Sequence, residues 1–300
     1  MYKNPNKFVQ FELWKDCSIG CKFCCNKGQP KVDKKESIQY VMDILNSEEI
    51  KEYNEIGFIG GEFFNGELDS VKEEFYKIFE KVSTLKFDRI YITAALMYDL
   101  DKSMLPFLHY LDDLKIIDKV MICTSFDTMY RFKSYMEVER WKFNMKRLKE
   151  LFPTITLHTE IILTEAFIQS VLKDEFNIMN FKNYFQSGID FIEPSSGLFY
   201  YNKESASKDM PNFFPHKSSF IEFIKKISTE TDIDLSTLLS MELRSNKLYF
   251  IANGQRLVAD KRRDGDGKCS IPNNYVKYET GFIDSDIPMR NIVNTLRSMI

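Results

Sequence analysis

Short β-rich runs alternate with amphipathic helical patterns along the first 200 residues of this 300-residue chain, and that alternation restricts its fold more than any other feature. The runs are "FVQFELW" (8 to 14), "EIGFIGG" (55 to 61), "FDRIYITAAL" (87 to 96), "KVMICTSF" (119 to 126), "TITLHTEIIL" (154 to 163) and "IDFIEPSS" (189 to 196). Between them "ESIQYVMDIL", "SVKEEFYKIFEKV", "SMLPFLHYLDDL", "VERWKFNMKRLKELF" and "EAFIQSVLKDEF" repeat apolar residues at three and four, the spacing of helices that cover a sheet. Strand, helix and strand in that order give parallel pairs with right-handed crossovers, which curl into a complete or partial barrel. The expected fold class is therefore α/β, a partial (β/α)6 TIM-type barrel with a C-terminal extension. The barrel core is assigned to residues 1–200. Beyond it the rhythm breaks: "YYNKESASKDMPNFFPHKSS" reads as a loop, "FIEFIKKIS" as a helix and "KLYFIANGQRLVAD" as a hairpin turning at Asn253 and Gly254. Residues 201–300 are thus expected to form an extension that caps the substrate cavity or contributes to it.

A hydrophobic content of 44%, with 14% aromatic residues, is enough to bury a large core. No apolar run approaches the roughly 20 residues that cross a bilayer, and "MYKNPNKFVQFELW" lacks the apolar core and cleavage site of a signal peptide. A cytoplasmic protein without a membrane partner is expected. The net charge of −3 gives the surface as a whole no electrostatic reason to gather on nucleic acid, although a local basic patch leaves that partner open.

Four of six cysteines lie in "CSIGCKFCC" (17 to 25), directly after the first strand and so in the first loop at the carboxyl face of the expected barrel. Cys17, Cys21 and Cys24 are spaced C-x3-C-x2-C. Three thiolates on one loop can converge on iron or zinc, but structural zinc usually takes four ligands in two separated pairs, and His109, His158 and His216 are all distant in sequence. Three ligands on a four-iron cluster leave one iron open. The spacing, with aromatic Phe23 before the last cysteine, resembles the cluster motif of the radical S-adenosylmethionine (radical SAM) superfamily. The resemblance implies a [4Fe-4S] cluster on Cys17, Cys21 and Cys24 whose open iron chelates SAM.

Further positions agree with that resemblance. "GFIGGEFF" ends the second strand, and Gly60, Gly61 and Glu62 are similar to the family's Gly-Gly-Glu motif, which binds the SAM amino group. The glycines permit close approach of backbone to a ligand, and the glutamate adds an acceptor for an ammonium. Phe63 stands where the family often has proline. "CTSFDTMYRF" ends the fourth strand and resembles a Ser-x-Asp stretch of radical SAM peptide-modifying enzymes. By that resemblance Ser125 bonds SAM, Arg131 pairs with its carboxylate, and Asp127 binds substrate or carries a proton. An Asp-Thr turn beside a surface arginine is the plainer reading of Asp127 and Arg131. Thr93 and Glu160 sit near expected cavity positions, and Pro194 ends the sixth strand as an apolar residue against adenine would. The glycine-rich pattern that some members carry on strand five is absent from "HTEIILTEAF".

Cys25 reads as a bystander, because a fourth thiolate would occupy the iron that SAM needs, and Cys123 reads as a packed strand residue. Cys269 stands alone in the extension, so one cluster is expected. The charged runs "KGQPKVDKKE" and "DKRRDGDGK" read as solvated loops or as steering for an anionic substrate. The resemblance implies reductive cleavage of SAM with hydrogen abstraction from a substrate, a peptide or protein by the Ser-x-Asp stretch, with flavodoxin or ferredoxin as reductant. A nucleotide, tRNA or sugar nucleotide is the alternative substrate. A non-catalytic iron-sulfur or zinc sensor, or a barrel that binds SAM without radical chemistry, are readings of another class.

Overall fold

The computed structural model of the protein describes residues 8–24, 31–127, 129–194, 207–233, 235, 246–252, 254–260, 281–285, 287 and 289–297. Five βα units and a sixth strand come first: β1 (Phe8–Glu12), α1 (Lys34–Leu45), β2 (Glu55–Ile59), α2 (Lys72–Ser83), β3 (Arg89–Thr93), α3 (Met104–Asp113), β4 (Val120–Phe126), α4 (Tyr135–Leu151), β5 (Thr156–Ile162), α5 (Glu165–Leu172), α6 (Ile178–Phe185) and β6 (Ser187–Ile192). They are followed by α7 (Lys217–Glu230), the hairpin β7 (Asn246–Ala252) and β8 (Gln255–Asp260), and α8 (Met289–Arg297). The sheet order is β6-β5-β4-β3-β2-β1-β7-β8, parallel from β6 through β7, with β8 antiparallel at the edge. Six strands follow in chain order, as right-handed βα crossovers require, and the sheet stays open, a partial barrel.

The six expected strands are all present within a few residues of their anticipated bounds. Two features differ. The segment after α5 breaks at Asp174, which has a φ of 59°, and restarts as α6, whose Asn177 side chain accepts from the Asn180 N–H. The hairpin does not stand apart from the sheet: β7 pairs in parallel with β1, Gln10 against Leu248. Ala252 faces Gln255 across its turn, where Gly254 takes a φ of 70°; Asn253 lies outside the described residues.

Helix starts are set by side chains that satisfy their free N–H groups. Asp33 accepts from Lys35 and Glu36 at α1, Ser134 from Glu137 at α4, and Thr164 from Phe167 at α5. In α2 the buried positions Phe75, Ile78, Phe79 and Val82 form one stripe, which meets Phe58 of β2 and Phe107 of α3. Each such ring contributes roughly 2–3 kcal/mol on burial. Among the described residues no helix is long and apolar enough to cross a membrane.

Sheet alternation then decides what faces inward. The Trp141 indole N–H of α4 donates to Thr124 Oγ1 at 3.0 Å, so Thr124 looks toward the helix layer. Cys123 and Ser125, its neighbours in β4, look the opposite way, into the concave side. Replacing Thr124 by valine keeps the shape and removes the acceptor, leaving a buried indole N–H without a partner. Urea denaturation is expected to show Thr124→Val less stable by about 1–3 kcal/mol, with Thr124→Ser much closer to wild type.

Candidate active site

Beyond the ends of β1 and β2 the two chains continue side by side, with Leu13 N–H donating to Ile59 O at 3.1 Å, Gly61 N–H to Trp14 O at 2.7 Å and Glu62 N–H to Asp16 O at 3.1 Å. A Cβ on Gly61 would stand 1.8 Å from Asp16 O, and one on Gly60, whose φ is +148°, 2.2 Å from Trp14 O. These glycines allow the close approach of one backbone to another. What they hold in place is the segment that enters the cysteine loop. Phe63, directly after Glu62, is fully buried edge-on to Trp14 with ring centroids 5.1 Å apart.

Glu62 is 2% exposed. Its Oε1 accepts from Phe64 N–H at 3.0 Å and its Oε2 from Ala95 N–H at 2.6 Å, tying the end of β2 to the end of β3. Burial pushes its carboxyl pKa up against these bonds. Cys17 lies within electrostatic reach of this carboxylate.

In the loop itself Cys17 is exposed, Cys21 buried and Cys24 half-buried. Gly20, at φ +72°, turns the chain, Cys24 N–H donates to Cys21 O at 3.2 Å, and Lys22 N–H donates to Tyr130 O at 3.0 Å. Desolvation raises the Cys21 thiol pKa, while Arg131 and then Lys133 act to lower it. Among the described residues no three His, Cys, Asp or Glu side chains gather as they would around a single metal ion. Cluster ligands have a different requirement, since each thiolate serves its own iron. Phe23 stacks on Phe213 at 6.0 Å, and Phe213 joins Tyr130, Ile162, Met210 and Phe214 in an aromatic-rich cluster beside the loop.

The end of β4 departs most from the plain reading. Arg131 is 5% exposed, so it is no surface arginine. One terminal nitrogen donates to Ser125 Oγ at 2.5 Å; the other donates to Ala95 O at 3.1 Å and Thr124 Oγ1 at 3.4 Å. Among the described residues its Nε is buried without a hydrogen-bond partner and no carboxylate is in ion-pair contact with it. Asp127 is fully buried. Its Oδ2 accepts from the N–H groups of Met129 at 2.9 Å, Tyr130, and Arg131 at 3.2 Å; Oδ1 accepts from Thr164 Oγ1 at 3.3 Å. The geometry makes Asp127 the clamp of the loop that carries Arg131.

Sequence reasoning passed over one pair on the concave face. Ser125, Glu160 and Asp190 are in register on β4, β5 and β6, and His158 Nε2 lies 2.6 Å from Asp190 Oδ2. The ring leans over Gly188, where an added Cβ would stand 2.7 Å from Nδ1. Strand alternation could have signalled it, because His158 and Glu160 alternate on β5 as Gly188 and Asp190 do on β6, and the register puts both pairs on one face. Thr93 and buried Cys123 are paired in register deeper on the same face, and Pro194 is buried just past β6. Cys25, Cys269 and the run after Asp260 lie outside the described residues. The described part of the first charged run is locally used: Lys31 pairs with Asp16, Lys34 with Glu67 and Lys35 with Glu74.

The partial barrel has solved counterparts. Native anSMEcpe with bound AdoMet and Cp18Cys peptide superposes with a TM-score of 0.50 and 16% identity, over 74% of this chain and 59% of that one. Streptococcus suis SuiB bound to S-adenosylmethionine gives 0.52 and 10%, over 85% and 60%. The fold is shared with these two structures. This chain spans about three-fifths of the length of those two proteins. No protein-family model and no curated protein matches the sequence.

The buried Glu62 has a pH signature. Its folded-state pKa lies above the ordinary 4.5, so over a window above 4.5 the folded protein keeps a proton that the unfolded chain has released. The stability it contributes is full below that window and declines as pH rises through it. The difference in unfolding free energy between wild type and Glu62→Gln is expected to fall from pH 4.5 upward; a flat difference would mean that Glu62 titrates normally.

Proposed function

We propose that the protein reductively cleaves S-adenosylmethionine at a [4Fe-4S] cluster held by Cys17, Cys21 and Cys24, and uses the product radical to take hydrogen from a substrate. When bound, the reduced cluster and SAM together supply methionine and a 5'-deoxyadenosyl radical. The observation that carries the reading is Arg131. A guanidinium has five N–H donors, and burying it with no carboxylate among the described residues in ion-pair contact, Glu62 acting on it only through longer-range electrostatics, leaves a site that favours a ligand of opposite charge. Here a buried Nε without a partner lies on a side chain that also neighbours Cys21. A ligand carboxylate beside the cysteine loop fits that donor, as the methionine end of SAM would.

The other residues then have definite tasks. Ser125 holds one arm of Arg131 and offers its hydroxyl to the ligand, while Asp127 fixes the turn from which Arg131 reaches. Gly60, Gly61 and Glu62 set the strand ends beside Cys17 and present acceptors to the amino group. Phe23 and its aromatic neighbours keep water from the loop, and Pro194 offers an apolar wall at the end of β6. In the two-part reading of the chain, residues 1–200 form the catalytic core and residues 201–300 cover the mouth; Met210, Phe213 and Phe214 against Tyr130 and Ile162 support this. A peptide or protein substrate is favoured because a structure with the same fold, anSMEcpe, holds a peptide. Free thiols at the site suit a reducing compartment such as the cytoplasm.

The test is anaerobic reconstitution with iron and sulfide, then dithionite and SAM, with 5'-deoxyadenosine quantified. The wild type is expected to form the nucleoside, and the triple variant Cys17→Ala, Cys21→Ala, Cys24→Ala to form none. A fully loaded four-iron protein that makes no nucleoside, with SAM and candidate peptides present, would sink the proposal. Arg131→Met is expected to keep the cluster spectrum and raise the KM for SAM by about tenfold or more, the loss of charge-assisted hydrogen bonds.

A further inference from the structure

Helix α4 carries an anomaly on its outward face. Met136 is 71% exposed and Phe143 60%, with exposed Arg140 between them on the same stripe, and Tyr135 beside Met136 is 73% exposed. A surface helix ordinarily turns polar residues outward, and single exposed apolar residues need no explanation, whereas several on one stripe do. Methionine, aromatic and arginine side chains together are also the composition enriched at protein interfaces.

The position of this stripe restricts what it meets. The segment entering α4 is joined to the cysteine loop: Tyr130 O accepts from Lys22 N–H, the Lys22 ammonium lies 5.9 Å from the centre of the Tyr130 ring, and Lys133 Nζ comes within 3.1 Å of where a Gly20 Cβ would be. Met129, on this segment, is 45% exposed. The charge around it is positive. Lys22, Lys133 and Arg140 are exposed and, among the described residues, in no ion pair. The nearby acids are engaged: Glu137 accepts from Lys133 N–H, Glu139 pairs with Lys142 at 2.9 Å, and Asp16 pairs with Lys31 at 3.1 Å. A basic and apolar patch on a chain of net charge −3 selects an acidic partner.

We infer that this patch, formed by Lys22, Lys133, Met136, Arg140 and Phe143, docks an acidic one-electron carrier protein of the flavodoxin or ferredoxin class beside the cysteine loop. The inference rests on the function proposed above, in which each reductive cleavage consumes one electron from outside the protein. The carrier loses one electron, the cluster on the cysteine loop gains it, and no bond or proton changes hands at the surface. Basic groups steer the encounter and the apolar stripe supplies the contact, so the interaction weakens with salt.

The test uses Met136→Glu/Arg140→Glu, which touches no residue of the cofactor site. Cleavage of SAM by the reconstituted protein is driven by dithionite in one arm and by photoreduced flavodoxin or ferredoxin in the other, over a range of sodium chloride. The double variant is expected to equal wild type with dithionite and to fall about tenfold or more with either carrier, with a shallower salt dependence. A second readout needs no cluster: carbodiimide coupling of the unloaded protein to each carrier is expected to join Lys22 or Lys133 to carrier carboxylates, and to fail in the variant. Equal carrier-driven rates in variant and wild type, or cross-links that map elsewhere, overturn the inference. So does sedimentation showing that wild type buries the patch in a homodimer which the variant dissolves without change in the carrier-driven rate. If neither reductant yields nucleoside, the proposed cleavage fails, and the cross-links alone decide whether the patch is a docking surface.

Discussion

The approach of Gly60 and Gly61 to the backbone of Trp14 through Asp16 is the contact on which the site depends. Any side chain at Gly61 would overlap the Asp16 carbonyl, so the two strand ends could not run together as far as the cysteine loop. Because they do, Glu62 arrives beside Cys17 and reaches across to Ala95 at the end of β3. One close packing of main chain therefore aligns three consecutive strand ends at the face where barrels of this type hold their ligands.

A second network fixes the other side. Thr124 accepts from Trp141 on the helix layer and from Arg131 on the site side, so one hydroxyl couples packing behind the sheet to the orientation of a buried cation in front of it. Asp127 collects three backbone N–H groups of the following turn and holds Arg131 in place. The energy of this corner lies in satisfied polar groups, and its one conspicuous deficit is the Arg131 Nε. A deficit inside an otherwise complete network is a physical argument for a ligand, independent of any resemblance.

Much of this was legible from residue order. The period of two in "KVMICTSF" and the three-and-four spacing in "SVKEEFYKIFEKV" report which residues meet the core, and both signals are local. The cysteine spacing and its place after β1 are local as well. The roles of Gly61, Asp127 and Arg131 were harder to read, because each depends on a partner distant in the chain or on burial that composition does not reveal. Gly61 meets Asp16, Arg131 meets Ala95, and Asp127 meets Thr164. A surface turn and a buried clamp have the same sequence until the neighbouring strands are in place.

The amino-acid sequence alone determined the repeating βα order, the parallel sheet it implies, and a loop of three spaced cysteines at the end of the first strand. These follow from periodicity and steric preference within a few residues. Tertiary structure decided that the C-terminal hairpin adds to the sheet through β7 and β1, that His158 meets Asp190, and that Arg131 is buried with an unpaired donor. Such outcomes are set by which distant backbone and side-chain groups compete for the same space and the same hydrogen bonds, a competition that exists only once the chain is folded.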